Sequence, residues 1–201
     1  MTGLDGFTKR TQQKMERIEN VAAAMLPLPL ADIKIADIAK QAGVSQVTIY
    51  NYYGSKEKLL QVATERVVDH QLQQFKEVIT GGLSFEEKLK QIILLKKQSA
   101  HVIDLHTFNE LMQMDDIFRE KMLKKQQEQS MPLLFQLIAE GRDKQLIRPS
   151  VRDETLLFYL NMISQVFTQL DTIQKMPSPI ETLVEDFLNM FFYGILRQSE
   201  G

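Results

Sequence analysis

From Thr8 to Leu26 the apolar residues Met15, Ile18, Val21, Ala22, Met25 and Leu26 recur at three- and four-residue spacing, the pattern of an amphipathic helix, and Pro27 and Pro29 stop it. The same period returns along the rest of the chain. Ile35, Ile38, Ala39 and Ala42 predict a short helix over 35–42, with Gly43 where a helix end favours a left-handed residue. Ser45 can cap a second short helix over 46–52. Gly54-Ser55 ends that helix, and Ser55 can cap a run from Lys56 to about Thr80 that Gly81-Gly82 closes. At 1.5 Å per residue this run is about 37 Å long. Ser84-Phe85-Glu86-Glu87 forms a capping box ahead of a helix reaching about Gln98, followed by a weaker segment from His101 to Met114. Asp115-Asp116 can start a helix toward Arg142, in which Pro132 makes either a kink or a boundary capped by Ser130. Ile147-Arg148-Pro149 reads as a linker and 153–170 as a helix. Ser178-Pro179-Ile180-Glu181 supplies an N-cap, a first-turn proline and a Glu for a last helix reaching Arg197.

Composition agrees with an all-α chain. In 201 residues, 44% hydrophobic and 25% charged, there are 9 Gly and 6 Pro, too few for the many turns of an all-β fold. The absence of Cys excludes disulfides, thiolate nucleophiles and Cys-ligated metals, and a cytoplasmic location is the expectation. The longest uncharged stretch, 155–170, is interrupted by Asn161, Ser164, Gln165 and Thr168, so no membrane span or membrane partner is expected. The formal net charge of −2 hides a gradient: residues 1–60 hold eight Lys or Arg against six Asp or Glu. That balance permits a nucleic-acid-binding head without establishing one.

Candidate chemistry concentrates in residues 35–53, IADIAKQAGVSQVTIYNYY. Two short helices crossing steeply need a small residue where their backbones meet, a Gly at the turn and a branched apolar residue in the angle. Ala39, Gly43 and Ile49 supply these, the spacing of a helix-turn-helix. Beyond Ser45, the second helix offers Gln46, Thr48 and Asn51 to base edges and Val47 to a thymine methyl. Lys34, Tyr50, Tyr52 and Lys56 supply phosphate donors around them, with Lys9 and Arg10 at the first helix. Tyr53 reads as core.

The string Ile35 to Leu60, IADIAKQAGVSQVTIYNYYGSKEKLL, resembles the DNA-binding head of the TetR family of bacterial transcriptional repressors, whose heads carry a similar A-x-x-x-G-V-S…(L/I)-Y-x-(Y/H)-F-x-(S/N)-K pattern. The likeness is sharp over about residues 8–65. It implies an all-α homodimer: a three-helix head, residues 1–55, joined by a long helix, 56–80, to a helical effector-binding and dimerisation body within 56–201. Carried over, Gln46, Val47 and Thr48 face bases, while Tyr50, Tyr52, Lys56 and Lys34 hold phosphates. Tyr53 departs from the family's usual Phe, for which a small change in packing is expected.

In the body, helices 153–170 and 180–197 are apolar nearly all round, so each needs a second buried side, and a partner chain can provide it. Leu157, Phe158, Phe187 and Phe191 are the candidate seam of a four-helix dimer bundle. His101, Phe108, Met112, Phe118, Met122 and Phe135 are candidates to line a pocket for a small, mainly apolar effector of unknown identity. His101 and His106 are about 140° apart on a helix, so no metal site is expected. Residues three before His70, His101 and His106 are Val67, Gln98 and Ile103, which excludes the Glu-x-x-His of di-iron bundles. Phosphate-loop, nucleophile-elbow and HExxH motifs are absent too, so neither an enzyme nor a cofactor is expected. The reading that follows is a repressor that binds a palindromic double-stranded operator as a homodimer and is released by its effector. A helical-bundle small-molecule carrier without operator control is the alternative.

Overall fold

The computed structural model describes residues 3–156, 158–159 and 178–196, and these are helical apart from turns, loops and one isolated antiparallel bridge between Ile147 and Leu196. The helices are α1 (Gly3–Met25), α2 (Ile35–Ala42), α3 (Gln46–Tyr53), α4 (Lys56–Thr80), α5 (Phe85–Ser99), α6 (Leu105–Met114), α7 (Asp116–Lys125), α8 (Met131–Asp143) and α9 (Ile180–Ile195). Two compact units divide them: Met1–His70 with Val102–Glu120, and Gln71–His101 with Lys121–Gly201. This division departs from a boundary at 55/56. The first half of α4 buries Leu59, Leu60 and Ala63 completely, and α6 belongs with the same unit.

In the first unit the local stop and start signals act as read. Gly43 takes φ 66°, and the Gly43 and Val44 N–H groups close α2 on the carbonyls of Lys40 and Ala39. Ser45 Oγ accepts from the Thr48 N–H at 3.1 Å and starts α3. Gly54, at φ 78°, ends it, and Ser55 Oγ accepts from the Lys58 N–H. The segment from His101 proves to be a helix start. Asp104 Oδ1 accepts from the Thr107 N–H at 2.8 Å, the Asp104 N–H donates to the Leu26 carbonyl, and the buried Thr107 hydroxyl donates to that of Leu28. Asp115 Oδ1 then caps α7 through the N–H groups of Ile117 and Phe118, and its carboxylate also pairs with Lys58.

Tyr53 does more than replace a Phe. Its hydroxyl donates to Glu19 Oε1 at 2.9 Å, and Glu19 Oε2 pairs with Arg66 at 2.5 Å, so one polar chain ties α1, α3 and α4 together. Burial, followed by the hydrogen bond to Glu19, pushes the phenol well above its ordinary pKa. The expectation of a small packing change therefore understates this position.

The second unit is built on Phe75 and Ile79 of α4, Phe85, Leu89 and Ile92 of α5, Leu137 and Ile138 of α8, and Phe191, Phe192 and Ile195 of α9. Gly141 is needed for close approach, because a Cβ there would stand 2.6 Å from Phe85 Cζ. The chain stays helical through Pro132. A π-helical segment, Gln126–Ser130, precedes α8, and the Met131 N–H reaches the Gln126 carbonyl. The wider turn adjusts the ladder just before a proline that has no N–H to contribute. Ser130 makes no cap bond. The last helix also starts differently from the sequence reading: Pro179, not Ser178, is the N-cap, without a side-chain bond. Of the helix read over 153–170, positions 153–156 and 158–159 are helical, and the rest lies outside the described residues, as does Arg197.

Two substitutions test this packing. Thr64 is fully buried, and its hydroxyl has no hydrogen-bond partner among the described residues. Thr64→Val should therefore raise stability by about 1 kcal/mol in urea unfolding, whereas a loss would reveal a partner on that hydroxyl. The raised Tyr53 pKa stabilises the fold fully below the ordinary phenol value of about 10, and that contribution is lost as pH climbs above it. Tyr53→Phe should be less stable near neutrality, and its melting temperature should fall less steeply than the wild type's above that pH.

Candidate nucleic-acid interface

Eight residues are too few to hold a helix in water by themselves, so the orientation of α3 is set by what it buries. Ile49 is 0% exposed, and Tyr53, about 40° around the helix from it, is half-buried. Val47 and Asn51 project from the opposite face, with Gln46 and Tyr50 on one flank and Thr48 and Tyr52 on the other. All of these are exposed except Thr48, which is half-buried, and Val47 reaches 66%. An apolar side chain left this open on a rigid helix suits contact with a methyl group on another molecule.

The polar partners around α3 are unevenly spent. The Ser45 and Thr48 hydroxyls lie 2.9 Å apart, so Thr48 is partly engaged in the cap it also helps to form. Gln46, Asn51 and the exposed Lys34 lie on the surface beside it. Lys56 differs from its sequence reading as a phosphate holder: its Nζ donates to the carbonyls of Leu30 at 2.8 Å and Ile33 at 3.2 Å. Two of its three protons hold the loop that leads into α2, and one remains for a phosphate. No charged residue lies on α3, so nothing on the helix itself repels a phosphate backbone.

The other predicted sites are dispersed. Phe108, Met112 and Phe118 fall in the first unit, and His101, Met122 and Phe135 in the second. Phe118 and Met122 are buried, Phe135 and His101 exposed, and Phe108 and Met112 half-buried. Of the predicted seam, Phe158 is 73% exposed, Phe187 is half-buried and Leu157 lies outside the described residues. Phe191 is no surface residue. It is 4% exposed, stacked 5.5 Å from the Tyr159 ring and against Phe192 within its own subunit, and Met190 and Tyr193 are the exposed positions beside it. Among the described residues, no group of His, Asp or Glu could hold a metal ion, and no helix is long and apolar enough to cross a membrane.

Sequence reasoning missed Glu19, Arg66, Asp104 and Thr107. Of these, only Asp104, three residues before Thr107, carries a local N-cap signal.

Comparison with known proteins agrees with this geometry. The sequence profile of "Bacterial regulatory proteins, tetR family" matches residues 30–63, the segment from the loop before α2 into α4. The HTH-type transcriptional regulator YvaF of Bacillus subtilis (strain 168) is 23% identical over 174 residues, covering 82% of this chain and 86% of its own. Among solved structures, a transcriptional regulator from Saccharomonospora viridis in complex with choline superposes with a TM-score of 0.70 at 16% identity, over 92% of this chain and 98% of that one. The regulator FadR from Bacillus subtilis in complex with stearoyl-CoA gives 0.61 at 20% identity, over 90% and 98%. A helix-turn-helix with this motif stands at the front of an all-helical chain that is similar over residues 30–63 to bacterial regulatory proteins of the tetR family and, over most of its length, to transcriptional regulators.

Proposed function

We propose that this regulator is a repressor that binds a palindromic operator as a homodimer through residues 1–55 and is released when a small, mainly apolar effector binds within 56–201. The observation that carries the DNA reading is the outward face of α3, where Gln46, Val47 and Asn51 are exposed while Ile49 is wholly buried. A dimer follows from what an inverted repeat requires, since two heads on a two-fold axis read two half-sites about one helical turn apart. Among the described residues of the two C-terminal segments, Phe158, Met190 and Tyr193 offer exposed apolar surface for it, at 73%, 66% and 61%. The effector reading draws support from the ligand-bound regulators that share the fold, one with choline and one with stearoyl-CoA. Ligand and operator then oppose each other, and linkage makes the opposition mutual.

Selection on random duplex DNA gives an operator on which the residues can be tested. Gln46→Ala should cost about 1–3 kcal/mol on that operator and relax the preference at one base pair per half-site. Lys34→Ala should weaken all duplexes alike and lower the slope of log K against log salt by about 1. Unchanged base preferences in Gln46→Ala would refute α3 as the reading helix. For the dimer, Met190→Glu or Tyr193→Glu would place a desolvated charge in both subunits and should give monomers at micromolar concentration. A folded wild-type monomer in light scattering at that concentration would remove the dimer.

A further inference from the structure

The chemistry of the exposed face of α3 is one-sided. Gln46, Val47, Tyr50, Asn51 and Tyr52 are exposed, and none of them carries a charge. Among the described residues the protein engages neither the Gln46 nor the Asn51 amide, so each keeps its carbonyl oxygen and its NH2 for another molecule. That pair of groups matches adenine in the major groove: the amide oxygen accepts from N6 and the NH2 donates to N7. Val47, 66% exposed, matches the thymine methyl. The Thr48 hydroxyl, which could serve any base, lies 2.9 Å from that of Ser45 and is half-buried.

The groups that read G·C pairs are missing from this face. Guanine is recognised through O6 and N7 by Arg or Lys, and cytosine N4 donates to Asp or Glu. Helix α3 contains none of the four. The cations nearest in sequence are committed elsewhere: Lys56 donates to the Leu30 and Ile33 carbonyls, Lys58 pairs with Asp115, and Arg66 pairs with Glu19. Lys34 and Lys40 stand at the two ends of α2, the helix of such a motif that crosses the phosphate backbone and does not enter the groove. A G·C pair beneath Val47 would also offer no methyl and would set its polar edge against an apolar side chain.

We propose that the base pairs beneath α3 in each half-site are A·T pairs, with Val47 against a thymine methyl and the amides of Gln46 and Asn51 on adenine N6 and N7. Val47 and Asn51 are one helical turn apart, about 6 Å along the axis, which is roughly two base-pair steps. The proposal rests on the reading of α3 given above and sharpens it from a palindromic operator to one whose α3 contacts are A·T.

The test repeats the selection on random duplex DNA with the full-length wild type and with Gln46→Ala, Val47→Ala and Asn51→Ala, which identifies the pair at which each variant loses preference. All three pairs should be A·T. Base analogues then report which atoms are read. Uracil in place of the thymine at the Val47 pair removes only the 5-methyl and should weaken the wild type about fourfold, the worth of one buried methyl, with no effect on Val47→Ala. 7-Deazaadenine at the Gln46 and Asn51 pairs removes the N7 acceptor and should weaken the wild type about threefold to tenfold, leaving the corresponding alanine variant indifferent. A G·C pair at any of the three positions, or wild-type binding unchanged by either analogue, would overturn the assignment while leaving α3 as the reading helix. Base preferences unchanged in all three variants would instead remove α3 from the groove, and the assignment with it. The three side chains are exposed, so the variants should fold as the wild type does, and the analogues decide on the wild type alone where one does not.

Discussion

The interface depends on the complete burial of Ile49. Helix α3 spans only two turns, and neither its propensity nor its cap at Ser45 would hold it in water. With Ile49 fixed inward, Val47 and Asn51 must point outward, because a helix offers no other rotation once one face is committed. Tyr53 fixes the remaining freedom. Its hydrogen bond to Glu19, itself paired with Arg66, resists a roll of α3 about the Ile49 contact. The outward face of α3 is therefore set by two residues on its inner side.

The same unit depends on an accounting of backbone carbonyls. Pro27 and Pro29 stop α1 and have no N–H to offer, so the chain from Leu26 to Ile33 presents carbonyls that its own backbone does not satisfy. Three outside donors answer them: the Asp104 N–H at Leu26, the Thr107 hydroxyl at Leu28, and the Lys56 ammonium at Leu30 and Ile33. This explains why α6 belongs with the helix-turn-helix unit and why Lys56 is largely spent before any DNA arrives. Lys56 acts on the interface by holding the loop that delivers Lys34 and α2.

What was legible in the sequence is what acts within a few residues. Gly43, Ser45, Gly54, Ser55 and the Ser84–Glu87 box all behave as their local chemistry requires, because a cap or a left-handed turn is decided by adjacent backbone. Contacts across long separations were not legible. Nothing near Tyr53 points to Glu19, thirty-four residues earlier, and nothing near Lys56 shows that its ammonium also holds the carbonyls of Leu30 and Ile33. Periodicity likewise marks α9 as apolar on most faces but does not say that Phe191 packs inward while Met190 and Tyr193 look out. The turn before Pro132 escaped for a different reason, since a π-helical adjustment has no sequence signature comparable to a cap.

A switch of the proposed kind works only if the effector distinguishes two states of the chain, since a ligand held equally well in both shifts nothing. The contact that matters is therefore one with an element shared by both compact units. Helix α4 is that element: it gives Leu59, Leu60 and Ala63 to the core of one and Phe75 and Ile79 to the core of the other. Its 25 residues contain no Gly or Pro. A ligand lying only against α5 or α8 would be bound without touching this helix. One that touches α4 itself acts on it directly, and by reciprocity an operator that favours one position of α4 alters the space that ligand can occupy.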